Sequence, residues 1–442
     1  MMTEMNDLQP ILQRLAIKEL NEMQIASIGA IDGRKDVVLL SPTGSGKTLA
    51  YLLPILRRLK TEQKGLVQVM VIAPSRELAL QIDTVFKDMH TSFKSVCCYG
   101  GKPTMDEKRT IVGTQPEVII GTPGRLNDHL GKGNFSVHEV HTLVLDEFDK
   151  SLEFGFQAEM EEVLAYLEHI DKRILLSATD LQHIPAFVGM GRITRLDFLK
   201  GEEKSRLHMM QVDSPIKDKL ETLYQLLCTL GSSSTVVFCN FRESVDRIAN
   251  YLQSRQFYCE AFHGGMEQDQ REKSIYKFRS GSCHVLISTD LAARGLDIPE
   301  IENVVHYHLP TVMDAFIHRN GRTARWEEEG NAFIILNAEE IRPDYLPTKL
   351  EKRVLPKGEL KPTQPAWSTL YIAKGKRDKL NKIDVVGFLY KVAQLKREEV
   401  GRIDVRDRYA FVAIKREKLK ETLRLIQGEK IKGKRVLIEE AK

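Results

Sequence analysis

Ser41-Pro42-Thr43-Gly44-Ser45-Gly46-Lys47-Thr48 follows the apolar run 37–40, so a buried strand feeds a loop of small residues. Backbone N–H groups of such a loop can wrap phosphate oxygens, Lys47 brings a point charge to the β and γ phosphates, and the Thr48 hydroxyl suits Mg²⁺. Ser41 stands where the strict pattern has glycine. A second apolar run, 142–145, ends at Asp146-Glu147. A carboxylate at a strand end near a phosphate loop can hold Mg²⁺ through water, and its neighbour can orient and deprotonate the attacking water. Asp146 is thus the metal-side carboxylate and Glu147 the general base; the alternative is two acids opening a solvated helix. Further on, the string 318–325 (HRNGRTAR) supplies clustered arginines, and the three strings together read as an ATP-hydrolysing machine split across two domains.

The order of the remaining motifs is similar to that of the DEAD-box ATP-dependent RNA helicase family, over roughly residues 20–340: Gln24, PSRELALQ at 74–81, Gly100-Gly101, TPGR at 122–125, Ser177-Ala178-Thr179, VVFCN at 236–240, HGGMEQDQRE at 263–272 and STDLAARGLDIP at 288–299. The resemblance implies that Gln24 reads adenine and that Asp297 holds the ribose, which completes a nucleotide-binding set with Ser41, Pro42, Thr43, Gly44, Ser45, Gly46, Lys47 and Thr48. It implies that Ser177 and Thr179 couple hydrolysis to strand separation. Arg76, Gly101, Thr122 and Arg125, with Thr289 and Arg294 from the second half, are expected on the sugar–phosphate backbone, which carries no base identity. Arg322 and Arg325 are expected to reach the γ-phosphate as arginine fingers when ATP and RNA bring the two domains together.

The chain departs from the family at several points. Phe148 replaces the usual alanine of the DEFD tetrapeptide, Ser75 a threonine, Asn320 an aliphatic residue and Ala324 a glycine. Glu22 and Met23 precede Gln24 where proline and an aliphatic residue are usual, and no aromatic stands upstream to stack on adenine.

Placing these groups requires strands that end at the motifs. Apolar runs at 37–40, 69–73, 118–120, 142–145 and 174–176, separated by helix-length segments, predict one RecA-like α/β domain over residues 1–203. Runs at 235–239, 284–288 and 303–306 predict a second over 208–342. Residues 343–365 carry Pro343, Pro347, Pro356, Pro362 and Pro365 among charges and read as an extended linker. The expected architecture is two tandem RecA-like parallel-sheet domains followed by a small C-terminal RRM-like α+β domain, residues 366–442.

That last segment carries 21 Lys and Arg against 11 Asp and Glu, a surplus of ten, while the rest of the chain is net acidic. Strands at 369–373, 402–405, 409–414 and 435–439 with helices at 384–394 and 417–426 give the order βαββαβ. LYIA at 370–373 and YAFV at 409–412 match the aromatic-bearing core strands of an RNA-recognition motif. Alternation puts Tyr371, Tyr409 and Phe411 on one sheet face, either open for bases to stack on or covering an interface. Lys374, Lys376, Arg377, Lys432 and Lys434 form a second candidate RNA surface. The segment also resembles the C-terminal RNA-binding domain of DbpA-type bacterial helicases, which implies a tether to large-subunit ribosomal RNA; cold-shock helicases carry related domains.

The 442 residues are 42% hydrophobic, compatible with three domains. No apolar run approaches the ~20 residues that span a bilayer, and the N-terminus lacks a signal peptide's pattern, so a cytoplasmic monomer without membrane contact is expected. Six cysteines show no CxxC pair or Cys/His cluster and read as reduced buried thiols. Three functions fit: an RNA-dependent ATPase that unwinds short duplexes in ribosome assembly, an ATP-gated RNA clamp, and a DNA translocase, the last disfavoured by Gln24 and the basic tail. ATP and Mg²⁺ are the expected cofactors.

Overall fold

A computed structural model describes residues 8–42, 44–101, 103–181, 183–199, 207–290, 301–323, 329–356 and 358–441. They fall into two compact units, one ending at residue 199 and one beginning at 207.

The first unit carries strands β1 (Asp36–Leu40), β2 (Val69–Ile72), β3 (Ser95–Cys98), β4 (Val118–Gly121), β5 (Thr142–Leu145), β6 (Lys172–Ser177) and β7 (Ile193–Asp197), all parallel, in the order β3-β4-β2-β5-β6-β1-β7. Its helices are α1 (Gln9–Arg14), α2 (Glu22–Asp32), α3 (Lys47–Arg58), α4 (Arg76–Asp88), α5 (Thr104–Thr114), α6 (Pro123–Gly131), α7 (Phe148–Glu153) and α8 (Gln157–Ala165). The central strands are continuous apolar runs because helices cover both faces. Val37, Leu39, Val69, Val71, Val144 and Ile174 feed one core, and Val38, Leu40, Met70, Ile72, Leu143 and Leu175 the other, as a side-chain period of two dictates. Edge strand β7 alternates exposed and half-buried residues and so escaped the search for apolar runs.

The second unit repeats this plan. Strands β8 (Leu207–Ser214), β9 (Thr235–Phe238), β10 (Cys259–Phe262), β11 (Val285–Ser288), β12 (Asn303–His306), β13 (Gly330–Asn337) and β14 (Glu351–Lys352) are parallel in the order β10-β11-β9-β12-β13-β8-β14. Strand for strand this is the order of the first sheet, with β9 in the place of β2, β10 of β3, β11 of β4, β12 of β5 and β8 of β1. Helices α9 (Leu220–Leu230), α10 (Arg242–Ser254), α11 (Gln268–Arg279) and α12 (Met313–Asn320) belong to it.

The stretch 343–365, expected as a linker, is laid on this unit. It supplies β14, which pairs Glu351 with Met210, and Tyr224 donates its hydroxyl to Leu360 O at 3.0 Å. Edge pairing satisfies backbone groups that a free linker would leave to water.

Beyond it, β15 (Trp367–Ile372), α13 (Lys382–Lys391), β16 (Val400–Val405), β17 (Ala410–Lys415), α14 (Leu419–Ile426), a hairpin of β18 (Lys430–Ile431) and β19 (Lys434–Arg435), and β20 (Ile438–Glu440) build an antiparallel sheet in the order β16-β17-β15-β20. Leu370, Ile372, Val412 and Ile414 on one face pack with Val385, Phe388, Leu419 and Ile426 of the helices. The last strand is shorter and later than expected because residues 430–435 turn back as the hairpin. Among the described residues no helix is long and apolar enough to cross a membrane.

Candidate active site and nucleic-acid interface

The loop after β1 enters α3 through Gly44 and Gly46, at φ 86° and 85°, a backbone region open chiefly to glycine. A Cβ on Gly46 would lie 2.6 Å from Gln24 Nε2. Gln24 closes a capping box at the start of α2: Asn21 N donates to Gln24 Oε1 (3.0 Å) and Gln24 N to Asn21 Oδ1 (2.8 Å). Its Nε2 donates to Gly46 O (3.3 Å) and Asn21 Nδ2 to Ser45 O (3.1 Å), so the segment expected at adenine also braces the phosphate loop. Lys47 opens α3 and donates through Nζ to Ser41 O (2.6 Å) and Pro42 O (2.8 Å), with half-buried Thr48 next to it. Buried Ser41 donates its hydroxyl to Ser45 Oγ at 2.6 Å, a bond that glycine there would lack.

Asp146 ends β5, buried, and accepts from the Tyr51 hydroxyl (3.1 Å) and from Glu147 N (2.9 Å). Burial holds its carboxyl above the usual carboxylate range, with Lys47 pulling the other way. Glu147 adopts φ 45°, ψ 52° as N-cap of α7, a conformation costly for a residue with a Cβ and concentrated at functional sites. Phe148 is fully buried in the second core, its ring 6.3 Å from that of Phe187, which accommodates the bulk added where alanine was expected. Thr179 Oγ1 donates to Asp149 Oδ2 at 3.0 Å, and Ser177 Oγ both accepts from Thr179 N (3.1 Å) and donates to Thr179 O (2.7 Å). The tripeptide after β6 is thereby tied to the DEFD turn after neighbouring β5. Asp149 was not singled out from sequence; its signal was its place as the fourth residue of that string.

Oxygen donors such as the Asp146 carboxylate and the Thr48 hydroxyl are the kind that Mg²⁺ takes, and a cation would offset the cost of burying Asp146 ionised.

Three further loops leave the same edge of the first sheet. Ser75 caps α4 by accepting from Leu78 N (3.2 Å), so the serine keeps the hydroxyl of the expected threonine. Arg76 begins that helix, and its guanidinium lies against the turn after β3: a Cβ on Gly100 or Gly101 would approach it to 3.1 or 2.8 Å. Thr122 N-caps α6 after β4 with a half-buried side chain. Arg125, in the first turn of α6, pairs through Nε with Glu107 Oε2 (3.3 Å) and donates to Thr104 Oγ1.

In the second unit Thr289 follows β11 as Thr122 follows β4. Arg242 begins α10 after β9, and its side chain is 3.6 Å from a Cβ built on Gly264 and 3.5 Å from one on Gly265, the glycines after β10. This repeats Arg76 on Gly100-Gly101. Sequence reasoning missed it by stopping at Asn240; the second glycine pair was the available signal. Arg319 is fully buried, pairing with Asp290 (Nε to Oδ1 2.5 Å, Nη2 to Oδ2 3.2 Å) and donating to His308 O (2.6 Å) and Asn240 Oδ1 (2.8 Å). Arg322 is buried beyond the end of α12. Asn320 accepts from His306 Nε2 at 2.9 Å, and burial holds His306 down to about 3, so the amide replacing an aliphatic residue gives one nitrogen of a buried imidazole its partner. Thr43, Arg294, Asp297, Ala324 and Arg325 lie outside the described residues, as does the side chain of Lys434.

The aromatic face of the C-terminal sheet is closed. Phe411 stacks on Tyr276 of α11 with centroids 5.1 Å apart, Tyr409 donates its hydroxyl to Glu272 Oε2 at 2.9 Å, and Tyr409 and Phe411 are 8% and 3% exposed. Of the two readings of this face, the structure realises the interface; only Tyr371 stays half-exposed. Pleat alternation says which residues share a face, not what covers it. The basic loops remain open: Lys376, Arg377 and Lys432 are exposed and Lys374 half-exposed. Lys376 N and Arg377 N donate to Arg406 O (2.8 Å) and Asp407 O (2.9 Å), and Lys432 Nζ to Lys379 O (2.8 Å), gathering the β15–α13 loop, the β16–β17 loop and the β18–β19 hairpin at one end of the sheet. Exposed Lys379, Arg406 and Arg408 join them, so that the whole basic surface is drawn from three separate turns.

All six cysteines are free thiols among the described residues, four of them buried.

Residues 21–183 match the DEAD/DEAH box helicase family, 218–327 the helicase conserved C-terminal domain and 369–440 the DbpA RNA binding domain. The chain is 32% identical over 438 residues to the ATP-dependent RNA helicase DbpA of Escherichia coli (strain K12), covering 96% of this chain and 94% of that protein. With the Bacillus subtilis (strain 168) protein of the same name it shares 27% over 476 residues, covering 99% and 98%. Among solved structures, Mss116p bound to single-stranded RNA and AMP-PNP is similar with a TM-score of 0.71 at 25% identity, covering 79% of this chain and 77% of that one. Dbp5 of S. cerevisiae bound to RNA and ADP BeF3 gives 0.67 at 25% identity, covering 74% and 86%.

Proposed function

The chain belongs to the DEAD-box ATP-dependent RNA helicases of DbpA type, and from that we propose that it hydrolyses ATP with Mg²⁺ to separate short duplexes in large-subunit ribosomal RNA during ribosome assembly. The observation that carries the catalytic part is the convergence at one sheet edge of Lys47, the Asp146-Glu147 turn and the Thr179–Asp149 bond.

Lys47 exchanges the carbonyls of Ser41 and Pro42 for β and γ phosphate oxygens, and the N–H groups at the start of α3 receive the rest of the anion. Asp146 and Thr48 would hold Mg²⁺, which supplies charge neutralisation at the phosphates. Glu147 takes the proton of the attacking water as Arg322 and Arg325 stabilise the charge that develops on the transferred group. Because Thr179 is bonded to Asp149, movement of the DEFD turn on hydrolysis is transmitted to the tripeptide after β6.

RNA is taken by backbone at two equivalent stations, Arg76 with Gly100-Gly101 and Thr122, and Arg242 with Gly264-Gly265 and Thr289. Specificity is assigned to the basic loop end of the C-terminal domain, since its aromatic face is engaged with α11. The solved relatives carrying RNA with a nucleotide analogue support the first assignment, and the match to the DbpA RNA binding domain supports the second.

ATPase rates without nucleic acid and with DNA, generic RNA or ribosomal RNA test the reading. Stimulation by RNA alone, strongest with ribosomal RNA, is expected. Equal stimulation by DNA would overturn the RNA assignment, and equal stimulation by the two RNAs would overturn the ribosomal one.

A further inference from the structure

Behind Arg125 lies a buried polar chain that the scheme above leaves unused. Glu107, on α5, sits buried between Arg125 and the Gly100-Gly101 turn of the first unit. Its Oε1 accepts from Tyr99 N at 3.1 Å, the residue before the Gly100-Gly101 turn on which Arg76 rests. Its Oε2 meets Arg125 Nε at 3.3 Å and His129 Nε2 at 2.9 Å. Asn134 Nδ2 donates to His129 Nδ1 at 2.9 Å, which fixes the tautomer with the proton on Nε2, donated to Glu107. Thr104, also on α5, holds the guanidinium from another side and donates to Asp128 Oδ2 at 3.0 Å.

Cys98 Sγ completes a group of three ligating side chains with Glu107 and His129, all within 4.8 Å. Both imidazole nitrogens are committed, however, and a guanidinium already neutralises the carboxylate, so a metal cation would meet like charge and no spare nitrogen. Burial pushes the Cys98 thiol up, away from the thiolate a metal needs.

We propose that Glu107 is a positioning residue for RNA: one carboxylate, oriented by the His129–Asn134 pair, fixes Arg125 and the Gly100-Gly101 turn under Arg76 in a single register. This deepens the reading of Arg125 as a backbone contact and rests on it. An arginine with rotamer freedom loses that entropy when it binds phosphate; one held in place beforehand has already lost it. Preorganisation therefore predicts a change in RNA affinity rather than in the chemical step.

The test is the RNA dependence of ATP hydrolysis in Arg125→Ala, Glu107→Gln, Thr104→Val and the double variants with Arg125→Ala. Glu107→Gln is expected to raise the KM for RNA about tenfold and Thr104→Val about threefold, of the order of one or two lost charge-assisted hydrogen bonds, with kcat at saturating RNA within twofold of wild type. In the Arg125→Ala background the Thr104→Val effect should vanish and the Glu107→Gln effect should shrink to what the Gly100-Gly101 turn under Arg76 contributes. If Arg125→Ala leaves the RNA KM unchanged, the contact reading itself fails. If Arg125→Ala raises KM but Glu107→Gln does nothing, or multiplies the loss in full in the double variant, the positioning role is overturned. Thr104→Val removes one hydroxyl from a half-buried site, so the cycle remains decisive even if Glu107→Gln folds poorly.

Discussion

After β1 the chain passes through small residues and two left-handed glycines into Lys47; after β8, the matching strand of the second sheet, it passes through Pro215-Ile216-Lys217-Asp218 into Lys219, without a glycine. The second ammonium is used for structure: Lys219 Nζ donates to Ile335 O at 3.1 Å and pairs with Glu340 at 2.7 Å, and burial holds its pKa down. Where β5 ends in Asp146-Glu147, β12 leads into Tyr307-His308, with His308 held down to about 4 by burial. The arginine-on-glycine-pair stations after β2/β3 and β9/β10 are, by contrast, built alike. On the proposed reading the shared topology carries a repeated surface for a repeating polymer, whereas phosphate chemistry requires the glycines and paired carboxylates that follow β1 and β5 and do not follow β8 and β12.

The largest blow to that asymmetry comes from the arginines assigned to catalysis in the second half of the chain, Arg322 and Arg325. Arg322→Ala is expected to lower RNA-stimulated hydrolysis by about 10³- to 10⁵-fold while nucleotide affinity stays within a few-fold, because a finger acts in the transition state. Equal loss of binding and turnover, read by fluorescent-nucleotide titration beside steady-state rates, would make it a ground-state ligand. Glu147→Gln should lower hydrolysis by about 10²- to 10⁴-fold, keep ATP binding and trap the RNA-bound state. Hydrolysis at the wild-type rate would remove Glu147 as the base.

The C-terminal domain sharpens the contrast between backbone contact and selectivity. Lys376→Ala with Arg377→Ala should weaken all RNAs, ribosomal RNA the most, and flatten the salt dependence of binding by about 0.7 per lost phosphate contact on single strands. An unchanged slope would move the RNA surface elsewhere.

What sequence could and could not supply follows from the kind of signal. Strands 142–145 and 303–306 were legible to the residue because a helix-covered parallel strand is buried at every position and carries β-branched or leucine residues at its centre. Edge strand β7, with exposed Ile193 and Asp197, gave no such run, and β14 lay hidden among prolines. The phosphate loop and DEFD turn were legible because their chemistry is contiguous. The Arg242 station, the Glu107 chain and the three-turn basic surface were not, since each is assembled from elements separate in sequence. The fate of Tyr409 and Phe411 depended on Tyr276 and Glu272, far away in sequence.

A smaller effect probes the interior of the second unit. His306 has a folded value of about 3, well below the ordinary imidazole range, so the unfolded chain takes up the proton first. Its contribution to stability is present above about pH 6.5 and is lost as pH falls from there toward 3, at up to about 1.4 kcal/mol per pH unit. Urea unfolding at pH 7 and pH 5 should therefore show a smaller drop in His306→Gln than in wild type; identical drops would mean that the imidazole accepts a proton in the folded state.

The duplicated RNA surface is tested most directly by titrating RNA into the ATPase reaction of Arg76→Ala and Arg242→Ala side by side. The account predicts that both raise the KM for RNA by a similar factor, about tenfold for loss of a charge-assisted phosphate contact, and that neither changes ATP affinity in the absence of RNA. A KM that moves for one arginine and not for the other would contradict it.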